Sequence, residues 1–408
     1  MRALYDILAN LVSWLLPAVA VFSPKAKGFL YGRNAQIGSI RAFRERYSSE
    51  ELYCFHCASL GEYEMIVPLL KRLRKREGVK LVVTFFSPSG YEQRKDSSLI
   101  DAAFYLPLDT KHNARIFCQE LRPDQFFFVK YDLWYNLIDA LHKNETRIFL
   151  VNGMFKTDHF LHRSWAKPFM RSLHHFDHFF MQNLGSQEFL IYSGIPEEKV
   201  TITGDMRYDR VSAIEADKLE RIEKFCEHEF LIVGGSTWQP EEELLAQAME
   251  ELPTTVKLVV VPHDVNQDHI AQIMDRFESF GVSRWSDEKA DTGSVLVVDT
   301  IGILMRVYQS ADVAIVGGGF TGDLHNILEP LSAGVPVICG PKTDKFPEAR
   351  FMEKKGLVEK VNESNELLKS VLRFVNDRGA LDESRILAKA TIAEMTGGTQ
   401  MVLGHLDQ

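Results

Sequence analysis

The chain has 408 residues, 45% of them apolar and 25% charged, enough for two ordinary domains with substantial cores. A net charge of −9 excludes bulk attraction to nucleic acid. Five cysteines, an odd number without regular spacing, exclude a disulfide framework and point to a reducing compartment.

The first 47 residues run against the overall charge, with Arg2, Lys25, Lys27, Arg33, Arg41, Arg44 and Arg46 facing only Asp6 and Glu45. Such an end suits an anionic membrane surface. Ile7 to Pro24 is an uncharged run of 18 residues, near the minimum for crossing a bilayer, although Asn10, Ser13 and Pro17 weaken it. Ala18-Val19-Ala20 resembles a signal-peptidase site, but the basic residues that follow favour an anchor with the downstream chain on the cytoplasmic side. A cleaved signal and a buried soluble helix are the alternatives, and composition leaves open whether an anchor spans the bilayer or lies in it.

Leu52 to Ala58 reads as a strand, followed by the turn Ser59-Leu60-Gly61-Glu62 and a helix. That helix turns Met65, Ile66, Leu69, Leu70 and Leu73 inward, with Lys71, Arg72, Arg74, Lys75 and Arg76 outward. Glu62 thus sits at the mouth of a strand-to-helix crossover, where open α/β sheets place ligands, although a carboxylate in a first turn is stabilising in its own right. Cys54 and Cys57 form one C-x-x-C with no second pair to complete a zinc site, so they read as buried thiols. Further strands are expected at 80–85, 126–130, 147–151 and 179–182. Their polar ends are Ser87-Pro88-Ser89-Gly90, Asp132-Leu133-Trp134 and Asn152-Gly153. Residues 159–176 are helical in pattern, and His162, His174, His175 and His178 lack ligand-like partners and read as surface or packing residues.

The alternation restarts after Gly204–Asp209 (GDMRYD), which places a boundary near residue 208. Strands at 230–234, 257–261, 294–298 and 313–316 predict a second parallel sheet, with Gly235-Ser236-Thr237, Pro262-His263-Asp264 and Asp299-Thr300 following the first three. The last runs into Gly317, Gly318, Gly319 and Gly322. Asp323 is then placed as the cap of a helix carrying Leu324, Ile327, Leu328 and Leu331, ahead of a strand at 335–339. Backbone N–H groups and the helix dipole would suit a phosphate there. His325 and Glu329, at i and i+4, would share a face able to meet a ribose; capping by His325 and Asn326 beside a solvated Glu329 is the plainer alternative. The glycines also fit the dinucleotide pattern G-x-G-x-x-G, but the acid Asp344 falls past the strand end. The expected division is 1–47 membrane-associating, 48–208 a first α/β domain, 209–384 a second, and 385–408 closing helices.

Several stretches converge: HCASLGEYE (56–64), VTFFSPSGYE (83–92), YLPLDT (105–110), GDMRYD (204–209), GSTWQPEEE (235–243), and VGGGF with HNILEP and GVPVICGP (316–341). In this order the chain resembles the 3-deoxy-D-manno-octulosonic acid (Kdo) transferases over nearly its whole length. The resemblance implies an α/β glycosyltransferase of B type: two Rossmann-like doubly wound domains facing across a cleft, with an N-terminal hydrophobic membrane-associating helix. It implies transfer of Kdo from CMP-Kdo to the lipid A precursor (lipid IVA) at the cytoplasmic face of the inner membrane. Inverting single displacement is implied, without cofactor or metal. By the same resemblance Glu62 is the general base, Ser59 and Gly61 shape an acceptor loop, and Ser87, Ser89 and Asp132 contact the acceptor. Ser236, Thr237, Pro262, His263, Gly318, Gly319, His325, Asn326, Glu329 and Arg207 are implied to hold the donor, Glu329 at the ribose and the donors near Gly318, Gly319 and Asn326 at the departing phosphate.

The chain also departs from that family. Lys130 and Asp132 stand where many members carry two glutamates, and Pro262-His263-Asp264 lacks an arginine. Ile303 replaces an acid, Met154 an arginine, and Arg207 a lysine. Two other readings remain: a B-type transferase or epimerase using a UDP-sugar, and a non-catalytic module that binds membrane surfaces. Nucleotide preference would separate the first, and lipid binding without turnover the second.

Overall fold

The computed structural model describes residues 2–23, 27, 30, 32–33, 36–155, 161, 166–214, 217–287 and 293–407. Pro24, Lys25, His159 and His162, which bear on the apolar run and on one expected helix, lie outside them. The chain forms two compact units, Met1–Arg210 with Met395–Gln408, and Val211–Glu394. Residues 385–408, grouped on sequence as one closing segment, are thus divided between the units.

The first unit is built on β1 (Glu51–Cys57), β2 (Val79–Phe85), β3 (Ala102–Tyr105), β4 (Gln125–Val129), β5 (Arg147–Gly153), β6 (His178–Met181) and β7 (Val200–Ile202). Their order is β3-β2-β1-β4-β5-β6-β7, parallel throughout. Runs such as Gln125–Val129 (QFFFV) are buried at every position, as a parallel sheet covered on both faces requires. One face carries the helix Leu60–Leu73, and the carboxyl-terminal helix Gly398–Leu406 adds Val402, Leu403 and Leu406 to the same core. The expected helix at 159–176 is described as Lys167–Leu173.

The second unit contains β8 (Phe230–Thr237), β9 (Val256–Pro262), β10 (Val282–Arg284), β11 (Val295–Val297), β12 (Val313–Val316), β13 (Val337–Cys339) and β14 (Val358–Lys360). Their order is β10-β11-β9-β8-β12-β13-β14, again parallel. In both sheets the chain starts centrally, builds to one side, then crosses to the other. The reversal falls between β1 and β4 in the first unit and between β8 and β12 in the second, and crevices at such points are where open α/β sheets bind ligands.

The amino-terminal helix Arg2–Phe22 has no buried residue. Its start is nonetheless tied to the first unit: Arg2 Nη2 donates to Tyr135 O at 3.0 Å, Tyr5 donates to Asp109 at 2.6 Å, and Asp6 pairs with Lys111 at 2.7 Å. Ser13 and Pro17 line a cavity of about 200 Å³ together with Pro107, Leu108 and Ile116. The helix therefore lies along the unit and turns Trp14, Val21 and Phe22 outward.

Candidate active site

In the first unit β1 ends at Cys57 and the chain turns into the helix Leu60–Leu73, with Ser59 as an extended N-cap residue and Glu62 in the third helical position. The Ser59 N–H donates to Glu62 Oε2 at 3.0 Å, and the Ser59 hydroxyl donates to the same oxygen. This capping box fixes the carboxylate and leaves Glu62 Oε1 without a partner among the described residues. A Cβ at Gly61 would meet only Ser59 Oγ, at 3.6 Å, so packing does not demand glycine there. Gly90 is different: a Cβ would lie 2.8 Å from Phe85 and 3.1 Å from Leu60 N. Its absence lets the helix Pro88–Arg94 approach the Ser59 turn, and Ser87 N donates to Ala58 O at 2.9 Å. Ser87 and Ser89, joined through their hydroxyls at 2.7 Å, are thereby brought beside Ser59 and Glu62.

Asp132 belongs to a second cluster at the same end of the sheet. His56, fully buried on β1, meets Thr84 at 3.0 Å through Nδ1 and Asp132 Oδ2 at 2.8 Å through Nε2. Trp134 donates its indole N–H to Asp132 Oδ2 at 2.9 Å and stacks on Phe86. Asp132 Oδ2 thus orients His56 and Trp134, whose pairing with it was not expected from sequence. Arg207 lies in the first unit and is engaged by Asp205, Nε to Oδ2 at 2.8 Å. The preceding segment is fixed by buried Asn152, whose Oδ1 accepts the Met206 N–H at 3.0 Å. Cys54 and Cys57 are buried free thiols, pushed well up by burial.

The second unit corrects the expectation for the glycine loop. Gly317 closely approaches β8, where a Cβ would fall 2.0 Å from Ser236 O, and Gly318 has φ +85°. However, the Gly318 N–H donates to Glu241 Oε1 at 3.0 Å, and Glu241 is fully buried. The anion answering that N–H is the protein's own carboxylate, so Gly318 N–H is not open to a phosphate. Nor does a helix start at Asp323, which is exposed; the helix is Leu328–Ser332. Pro330 fits the first turn of this helix and would cost a helix begun at Asp323 one ladder hydrogen bond. His325 and Glu329 consequently do not share a helical face. Asn326 instead accepts the Leu328 N–H at 3.1 Å and donates from Nδ2 to Glu329 at 3.2 Å.

His325 joins a stack that draws on three strand ends. Trp238 after β8 lies against exposed His263 after β9, centroids 4.5 Å apart, and His263 lies 4.5 Å from His325 beyond β12. Burial, then His263, pushes the His325 pKa down against an opposing effect of Asp323. Pro262 is buried at the end of β9. Ser236 has φ +52°, a left-handed conformation uncommon outside glycine; Lys130 after β4 (φ +70°) and Asn152 in β5 (φ +56°) share it. Backbone strain of this sort gathers at ligand sites. Thr237 is buried and donates to Glu242, which also receives Arg276 at 3.0 Å. Among the described residues no cluster of His, Cys, Asp or Glu could hold a metal ion.

Residues 35–210 match the family described as 3-Deoxy-D-manno-octulosonic-acid transferase (kdotransferase). The 3-deoxy-D-manno-octulosonic acid transferase of Chlamydia muridarum is 30% identical over 71% of this chain and 70% of its own length. That of Chlamydophila psittaci is 28% identical over 70% of this chain and 69% of its own. In fold, the chain is similar to a UDP-GlcNAc 2-epimerase from Neisseria meningitidis, TM-score 0.62, at 15% identity over 88% of this chain and 99% of that one.

Two Rossmann-like units with polar groups at both switch points, together with these relatives, define a glycosyltransferase. The chain belongs to the 3-deoxy-D-manno-octulosonic acid (Kdo) transferase family, and its chemistry is Kdo transfer in lipopolysaccharide biosynthesis.

Proposed function

We propose that the protein transfers Kdo from CMP-Kdo to the lipid A precursor lipid IVA at the cytoplasmic face of the inner membrane, with Glu62 as general base. The single observation that carries this reading is the state of the Glu62 carboxylate. Ser59 holds Oε2, Oε1 has no partner among the described residues, and the residue is half-buried at the switch point of the first sheet. A sugar hydroxyl is a poor nucleophile at neutral pH, and a positioned carboxylate that takes its proton as the bond forms contributes roughly 10²–10⁴ in rate. The proton leaves the acceptor hydroxyl for Oε1, the acceptor oxygen attacks the anomeric carbon, and the bond to the CMP phosphate breaks with inversion.

Ser59, Gly61, Ser87 and Ser89 form the polar rim on which the acceptor would rest, with Asp132 supporting it through His56 and Trp134. The Trp238–His263–His325 group offers an aromatic surface for the cytosine or the ribose, with Ser236 and Thr237 beside it at the end of β8; Gly319, Asn326 and Glu329, on the loop and helix after β12, are assigned to the same donor. Arg207 is assigned to the donor's negative charge. Membrane association is read from the apolar outer face of the amino-terminal helix, where Trp14 is 77% and Phe22 89% exposed. The test is mass spectrometry of a tetra-acylated lipid A precursor incubated with CMP-Kdo and the purified protein. A Kdo-bearing lipid is expected; unchanged acceptor, with CMP-Kdo still bound, would refute the assignment.

A further inference from the structure

A groove of about 550 Å³ runs between the helices Lys111–Leu121 and Tyr135–Lys143, beside the pinned start of the amino-terminal helix. A second groove, of about 600 Å³, shares Asp139 and Lys143 with it and adds Arg171. Around the two, Arg2, Lys111, Arg115, Lys143 and Arg171 face Asp6 and Asp139, a local excess of positive charge in a chain of net charge −9. Arg2 pairs with Asp139 and Lys111 with Asp6; Arg115, Lys143 and Arg171 have no ion pair among the described residues. Asn136, only 3% exposed, lines the first groove. Its Nδ2 is fixed on Asp109 O at 2.7 Å, yet its buried Oδ1 has no donor. A buried acceptor without a partner is costly, so this position is set for a hydroxyl brought from outside, flanked by cations suited to a phosphate.

We propose that this groove binds the headgroup of an anionic, hydroxyl-bearing phospholipid of the phosphatidylglycerol type. The lipid would be one in the membrane surface on which the amino-terminal helix lies. The proposal rests on the membrane association read above. What points to a lipid is position: Arg2 and Ala3 line the second groove, and Leu4, Ile7, Leu8 and Leu11 follow on the next turns of the same helix, all exposed. An apolar helix seated in the interfacial plane brings lipid phosphates level with basic residues at its side. Phosphate oxygens would meet Arg115 and Lys143, and a glycerol hydroxyl would donate to Asn136 Oδ1.

The test is co-sedimentation of the full chain with vesicles of neutral phosphatidylcholine alone, or mixed with phosphatidylglycerol or with phosphatidylethanol, an anion of equal charge without the hydroxyls. Phosphatidylglycerol is expected to bind best. Arg115→Glu/Lys143→Glu should weaken that binding at least roughly 25-fold, at about fivefold per basic residue. Lys71→Glu/Arg72→Glu, the same charge change on an exposed helix face elsewhere, should weaken it by less than half as much on a logarithmic scale. Equal losses in the two variants, or equal binding of phosphatidylethanol, would overturn the headgroup site while sparing membrane association. Failure of the unaltered protein to bind any vesicle would overturn both.

Discussion

Glu241 Oε1 accepts the Gly318 N–H at 3.0 Å across 77 positions of sequence. A side chain from the helix after β8 thereby fastens the glycine loop after β12, and the same carboxylate caps its own helix by accepting Trp238 N–H at 3.1 Å. Burial pushes the Glu241 pKa up, against the backbone donors that hold the charged form. Glu241→Ala should therefore cost about 2–4 kcal/mol in chemical unfolding, since two backbone donors lose their acceptor. Glu243→Ala, at an exposed neighbour, should cost less than about 0.5 kcal/mol. Similar losses for the two would show that the loop does not depend on this contact.

The aromatic stack predicts a binding effect separable from folding. Trp238→Ala removes one wall of the Trp238–His263–His325 stack. If a base or ribose rests there, affinity for CMP should fall about tenfold, a typical worth of one aromatic contact, with the thermal midpoint of the ligand-free protein lowered only modestly. Isothermal titration with CMP measures the first and calorimetry the second. Unchanged CMP affinity would move the nucleotide away from this stack.

A pH effect is expected at the carboxyl-terminal helix. His178, on β6, is buried against Thr201 at 2.8 Å and lies 4.0 Å, centroid to centroid, from His405 of that helix. Burial, then His405 and Lys199, push the His178 pKa down to about 4. A base with a depressed pKa contributes stability that is full above its ordinary value near 6.5 and is lost as pH falls towards 4. The loss should reach about 3 kcal/mol, from the fall between 6.5 and about 4 at about 1.4 kcal/mol per pH unit. His178→Gln, which keeps a partner for Thr201, should flatten that dependence in unfolding titrations; an equally steep profile in the variant would assign it to another group.

The sheets were legible because short apolar runs such as Phe126–Val129 recur between turn residues and helical periods, the pattern of strands buried on both faces. β3, β7, β10 and β14 were missed because they are the edge strands of the two sheets and partly exposed, without the continuous buried apolar run that made the equally short β6, β11, β12 and β13 legible. Glu62 was legible because strand, turn and helix are adjacent in sequence. The glycine-loop helix was misplaced although a signal was present: Pro330 is better placed in the first turn of a helix than in the interior of one running from Asp323 to Ser332, even though Pro17 and Pro68 are carried inside other helices of this chain. The burial of Glu241 and Glu242 had no local signal, since an E-E-E run reads as solvated and their partners Gly318, His269 and Arg276 are distant in sequence. The Trp238–His263–His325 contacts and the pairing of His56 with Asp132 were hidden for the same reason.

The central claim rests on Glu62, and glutamine is the informative substitution, because Gln in the third helical position can still accept the Ser59 N–H and keep the capping box. The measurement is the rate of Kdo addition to a tetra-acylated lipid A precursor by Glu62→Gln and the unaltered protein, with CMP affinity and unfolding midpoint recorded for both. A fall of roughly 10²–10⁴ in rate, with CMP affinity and stability retained, is predicted for the loss of a general base. Transfer by Glu62→Gln at a rate near that of the unaltered protein would contradict the account and leave Glu62 as a helix cap alone.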